Sequence, residues 1–149
     1  MIISKEYSFE AAHILDLPYS SKCNRLHGHS YRVEVSVFGL LLNEQHMLMD
    51  YADLDKIAKP LIEEMDHKFL CPVGHSDTIL TTEGASDVEV QFGMTIIKMP
   101  RGDFYFLNGL QSPAEVIARH IQEKILEDLP NTDIRVSVKE TAKTVASYP

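Results

Sequence analysis

Three histidines and a cysteine stand close together early in the chain: His13, Cys23, His27 and His29. His27-Gly28-His29 puts two imidazoles two residues apart, and in an extended segment such residues project from the same side. Two ligands of one metal ion need that geometry, and Gly28 leaves the backbone between them uncrowded. Imidazole suits zinc, and three histidines with an open fourth position form a catalytic rather than a structural arrangement. The run Cys23-Asn24-Arg25-Leu26-His27-Gly28-His29 admits two readings. In one, Cys23 completes a closed Cys-His₃ structural zinc site. In the other, the thiol stands off the metal and acts as acid or base on a bound substrate. Lys22 and Arg25 flank it, and cations beside a thiol favour its thiolate. The same cations suit a phosphate-bearing substrate, although exposed Lys and Arg are more often solvated charge.

Such a site needs strands to hold it. From Ile2 to His13, Ile3, Tyr7, Phe9 and Ala11 alternate with Ser4, Glu6, Ser8 and Glu10. That period of two predicts a strand with His13 on the Tyr7/Phe9 face. A second strand is expected from His29 to about Leu41, with Tyr31, Val33, Val35 and Val37 on one face. From Tyr51 to about Lys68 the period changes: Leu54, Ile57, Ala58, Leu61, Ile62 and Met65 mark an amphipathic helix, which Pro60 should kink. A second helix is signed by Ser112 as N-cap, Pro113 at its first position and Glu115 as capping partner. Ile117, Ile121 and Ile125 stripe it, and Pro130 ends it. Ile134 to Val138 is a closing strand. Between the helices, Val88–Phe92, Met94–Met99 and Phe104–Leu107 predict short strands, with a hairpin turn at Pro100-Arg101-Gly102-Asp103. The Thr/Ser/Gly-rich stretch from Gly74 to Ser86 is expected to be a mobile loop. These elements predict one α+β domain spanning residues 1–149, with the helices on one face of an antiparallel sheet.

Composition narrows the partners. The chain carries 14 basic and 22 acidic residues, a net charge of −8, so no large basic field exists to attract nucleic acid or an anionic membrane. The residues from Met1 to Glu6 lack a signal-peptide pattern, and no apolar run reaches the length of a membrane span. A reducing cytoplasm is therefore expected, and Cys23 and Cys71 are read as thiols rather than as a crosslink.

Five motifs now fall in order: Phe9-Glu10-Ala11-Ala12-His13, Cys23-x-x-x-His27-Gly28-His29, Met49-Asp50-Tyr51-x-Asp53-Leu54, Asp66-His67 and Lys139-Glu140-Thr141. In that order they resemble the 6-pyruvoyltetrahydropterin synthase superfamily. The short spacing from Cys23 to His27 looks like the 6-carboxytetrahydropterin synthase branch, which serves queuosine and other deazapurine pathways. The resemblance covers the chain except for about residues 71–111, which it marks as an insertion carrying a β-hairpin.

The resemblance implies a T-fold whose subunits assemble into barrel-forming oligomers, commonly homohexamers, with active sites between subunits. It implies zinc on His13, His27 and His29. It also implies a proton-relay set of Cys23, Asp66 and His67, with Cys23 as base and Asp66 orienting His67. Glu140 matches the carboxylate that receives a pterin ring, whose adjacent N–H donors suit it. The implied substrate is 7,8-dihydroneopterin triphosphate, converted to 6-carboxy-5,6,7,8-tetrahydropterin with loss of acetaldehyde and triphosphate. Pyruvoyl-forming or folate-pathway chemistry on the same substrate is the alternative within enzymes. A non-catalytic pterin- or purine-binding module with a structural Cys-His₃ zinc is the alternative from another class. Two departures stand out. Ser112-Pro113-Ala114-Glu115 replaces the family's Pro-Thr-x-Glu, which displaces the hydroxyl, and Cys71 replaces a polar residue. Cys71 is read as a small buried hydrophobe. His75 and His120 have no motif context and are assigned to a surface loop and a helix face.

Overall fold

A computed structural model describes residues 1–74 and 86–149 of the chain. His75 and most of the stretch expected to be a loop lie outside the described residues. Among the described residues, eight strands and two α-helices form: β1 (Ile2–His13), β2 (His27–Phe38), α1 (Tyr51–Met65), β3 (Lys68–Pro72), β4 (Asp87–Phe92), β5 (Thr95–Pro100), β6 (Phe104–Leu107), α2 (Ala114–Asp128), β7 (Asp133–Thr141) and β8 (Thr144–Tyr148). Six strands make one sheet in the order β6-β3-β1-β2-β7-β8, and β4 and β5 pair as a separate two-stranded sheet.

The main sheet is mixed rather than antiparallel. β3 runs parallel to β1 on one side and to β6 on the other. A parallel return needs a crossover, and the helical segment between β2 and β3 carries the chain across the sheet. The predicted hairpin turn is also displaced. The β4–β5 reversal occurs at Gly93, whose φ of +56° is the left-handed conformation that glycine adopts without penalty. Arg101–Asp103 instead forms a single 3₁₀ turn that delivers the chain into β6.

Alternation decides the packing. Phe9, Tyr31, Val33, Val35 and Val37 pack with Ile134, Val136 and Val138 on one sheet face, where Leu54, Ala58 and Ile62 of α1 and Ile117, Ile121 and Ile125 of α2 close over them. Each such side chain removed from water contributes about 1.5–3 kcal/mol. In β3 the period of two splits neighbours between cores: Leu70 joins the helix-side cluster, while Phe69 and Cys71 join a second one under the β4–β5 hairpin with Val88, Val90 and Ile97. Cys71 is fully buried, and burial pushes its thiol up to about 12.

One local expectation changes, and two others gain detail. α1 ends at Met65 rather than near Lys68, because Asp66 turns extended and His67 takes a φ of +58°. The helix runs through Pro60, which lies on its exposed side, so the carbonyl deprived of a donor there can meet water. His120 is buried, and its Nε2 pairs with the Tyr105 hydroxyl at 2.8 Å.

Candidate metal centre and adjoining clefts

β1 and β2 pair along their whole length, with His13 directly opposite His27 and Ala11 opposite His29. The histidines share the parity of Tyr31 and Phe9, so all three project from the helix-bearing face at one end of the sheet. Their ring centroids lie 4.6, 5.3 and 5.0 Å apart, and one nitrogen from each falls within 4.8 Å of the others. Gly28 between them is closely approached by the neighbouring strand. A Cβ there would stand 3.1 Å from the Ala11 carbonyl oxygen.

Backbone carbonyls fix the ring tautomers. His13 Nδ1 lies 2.8 Å from the Ser112 carbonyl, and His27 Nδ1 lies 2.7 Å from the Arg25 carbonyl. A carbonyl only accepts, so each Nδ1 carries the hydrogen and donates it. The His29 ring donates likewise to the Glu140 carbonyl. His13 Nε2 and His27 Nε2 therefore face each other with lone pairs at 3.1 Å. Burial, reinforced by the neighbouring histidines, holds His13 down at about 4, so His13 itself is neutral at neutral pH. A divalent cation would be held by both lone pairs, and carbonyl-anchored imidazoles are the usual surroundings of one. The donor set fits a metal ion.

Ser112 is not the helix cap. Pro113 occupies the cap position of α2 without any side-chain bond, and Ala114 is the first helical residue. The Ser112 carbonyl is committed to His13, while its buried hydroxyl has no partner. Glu140 Oε1 is a second buried oxygen without a partner. Burial, and then the charge of Glu115, raise the Glu140 carboxyl above the ordinary range; His27 and the Ala114 N–H oppose this. Two unmet polar atoms beside the start of α2 are the kind of gap that a polar ligand fills.

Cys23 sits in a single 3₁₀ turn, Lys22–Asn24, and is partly exposed. Its carbonyl accepts the Leu15 N–H at 2.9 Å, which fastens the turn just beyond β1. Among the described residues the group able to hold a metal comprises the three histidines without Cys23.

Asp66 and His67 follow α1. Asp66 Oδ1 accepts the Glu10 N–H at 2.8 Å, and Oδ2 stands 2.8 Å from His67 Nδ1. The His67 N–H donates to the Glu10 carbonyl at 2.6 Å. These bonds hold a non-glycine residue in the left-handed region, where one is uncommon. The Glu10 N–H, followed by His67, keeps the Asp66 carboxyl below its ordinary range. His67 lines a cleft of about 540 Å³ with His29, Glu10, Ser30, Phe69 and Met99. A second cleft, of about 570 Å³, takes in His29, Arg32, Lys139 and Glu140. The structure thus brings His13, His27, His29 and Glu140 together and puts His67 beside a cleft that His29 also borders. Cys23 is not among the residues lining either cleft. Sequence reasoning missed the Ser112 carbonyl, since a backbone acceptor leaves no mark in residue type.

The profile of the family described as 6-pyruvoyl tetrahydropterin synthase matches residues 2–149. A Pyrococcus abyssi protein provisionally named as a 6-carboxy-5,6,7,8-tetrahydropterin synthase is 36% identical over 140 residues, covering 93% of this chain and 83% of that protein. The 6-carboxy-5,6,7,8-tetrahydropterin synthase of Haemophilus influenzae is 30% identical over 150 residues, covering 98% and 96%. Among solved structures, the 6-pyruvoyl tetrahydropterin synthase of Plasmodium vivax superposes with a TM-score of 0.81 at 21% identity, over 99% of this chain and 97% of the other. The mixed sheet with two helices on one face is the T-fold, and the chain belongs to the 6-pyruvoyl tetrahydropterin synthase family.

Proposed function

We propose that the protein is a zinc-dependent lyase that converts 7,8-dihydroneopterin triphosphate and one water to 6-carboxy-5,6,7,8-tetrahydropterin, acetaldehyde and triphosphate. The observation that carries this is the triad of carbonyl-anchored imidazoles, with two lone pairs opposed at 3.1 Å. The names borne by relatives at 36% and 30% identity favour the carboxy product. Zinc on His13, His27 and His29 supplies Lewis acidity and a template for the substrate's side-chain hydroxyls.

This chain's residues then have distinct tasks. Glu140 receives the N–H donors of the pterin ring, a role supported by its unmet buried oxygen. Cys23 is the base at the substrate side chain, supported by its absence from the histidine group. Asp66 holds His67 in one tautomer through its Nδ1, so that His67 can hand a proton to or from the substrate. In this reading the protein is a homohexamer whose sites are completed between subunits. We place the enzyme in the cytoplasm, on a route to queuosine or another deazapurine.

Anaerobic incubation with 7,8-dihydroneopterin triphosphate, read by mass spectrometry and an acetaldehyde assay, tests the reaction. Acetaldehyde and the carboxy product are expected in equal amounts. A pyruvoyl product without acetaldehyde would overturn the assignment in favour of the related synthase activity.

A further inference from the structure

The ladder between β2 and β7 stops at the pair Arg32 and Lys139. Beyond it the two strands continue without pairing to each other, β2 back to His27 and β7 on to Thr141. The cleft of about 570 Å³ described above opens there, bordered by Ser30, Arg32, Lys139, Glu140 and Thr141 and reaching His29. Val33 and Val138 point into the core, so Arg32 and Lys139 point away from it, and both are exposed. Residues directly opposite on antiparallel strands hold their Cβ atoms about 5 Å apart, and like charges so placed destabilise the pair. Neither side chain has a hydrogen bond or ion pair with any described residue. Glu6 and Glu34 border a neighbouring hollow with them, yet form no ion pair with either. In a chain of net charge −8, two cations without an ion pair among the described residues are set face to face at the mouth of a cleft that reaches His29 of the histidine triad.

We infer that Arg32 and Lys139 form an anion subsite that holds the phosphate chain of the substrate while its pterin end lies toward Glu140. The inference rests on the proposed reaction for the identity of that substrate. A guanidinium offers paired donors to phosphate oxygens, and an ammonium adds a mobile point charge, so together they suit a polyphosphate better than a single carboxylate. Binding of the anion also removes the repulsion between the two cations.

The test titrates inorganic tripolyphosphate into the zinc-loaded protein by calorimetry, with zinc content measured before and after. The Arg32→Gln, Lys139→Gln double variant should bind tripolyphosphate at least tenfold more weakly. Its KM for dihydroneopterin triphosphate should rise about tenfold, with kcat within about threefold. Its melting temperature should hold or rise, because a like-charge contact is lost. A Lys22→Gln, Arg25→Gln variant should keep tripolyphosphate affinity. The subsite is overturned if wild-type protein binds no tripolyphosphate, or if the double variant binds it as tightly as wild type. It is equally overturned if only the Lys22/Arg25 variant loses binding, or if the double variant dissociates into smaller species, which would assign the pair to a subunit contact. Tripolyphosphate binding that depends on Arg32 and Lys139 in a protein that turns over no pterin would leave the subsite standing and sink the proposed reaction alone.

Discussion

His13 Nε2 and His27 Nε2 face each other at 3.1 Å, each on a ring whose Nδ1 is bonded to a backbone carbonyl. Cross-strand pairing brings the rings together, and the carbonyls turn both lone pairs inward. A bound cation converts that repulsion into coordination. One zinc per chain is expected in purified protein, and His27→Ala should reduce this to near zero by elemental analysis. Chelation should lower the melting temperature by roughly 10 °C, since a ligand at about a thousand times its Kd contributes about 4 kcal/mol.

Gly28→Ala tests the close approach between the strands. The new Cβ meets the Ala11 carbonyl oxygen at 3.1 Å, so β1 and β2 must part where they hold the histidines. A loss of about 1–2 kcal/mol in chemical denaturation is expected, with zinc affinity weakened about tenfold. Unchanged zinc affinity would show that the triad tolerates a looser sheet.

The two cysteines should differ in reactivity. Cys23 is partly exposed, whereas Cys71 is fully buried and its thiol is pushed up to about 12. A thiol reagent at neutral pH should therefore label one site per native chain and two after unfolding. Cys23→Ala should keep zinc and stability but lose turnover by about a hundredfold or more. Cys71→Ala should keep turnover and cost roughly 1–2 kcal/mol of stability. Loss of zinc in Cys23→Ala would instead support the structural Cys-His₃ site.

Asp66 links acid stability to the His67 loop. Its folded pKa lies below the unfolded value, through the Glu10 N–H and His67. It therefore stabilises the fold above the ordinary carboxylate range and ceases to do so as pH falls through its folded pKa. Asp66→Asn should flatten the acid limb of the stability–pH curve. Under the proposed mechanism it should also lower kcat about ten- to a hundredfold.

Glu140 carries the opposite sign. Burial and Glu115 raise its folded pKa, so the fold favours the protonated form. Its unfavourable effect on stability sets in as pH rises past the unfolded value, is complete above the raised folded value, and vanishes below the unfolded value. Glu140→Gln should raise the melting temperature by about 2–4 °C at neutral pH, and the difference should disappear under acid conditions. Pterin affinity should fall at least tenfold in the same variant. Together these results would mark a carboxylate kept for binding at the expense of stability.

Periodicity made much of the fold legible. Period two placed His13 on the Phe9 face, and periods three and four placed Leu54, Ala58, Ile62 and Met65 on the buried side of α1. The triad was legible for the same reason: in an extended strand, His27 and His29 must share a face. Pairings between distant segments were not legible. That β3 lies parallel to β1, or that the hairpin covers Phe69 and Cys71, depends on how the chain crosses the sheet, and residue order does not encode that locally. Ser112 shows the limit most clearly. Its type and its place before Pro113 read as a helix cap, but its carbonyl is turned to His13, 99 residues away in the chain. The sequence by itself determined which side chains could bind a metal. Only the tertiary structure decided which backbone groups would orient them, because every residue but proline carries the same donor and acceptor, and only folding chooses their partners.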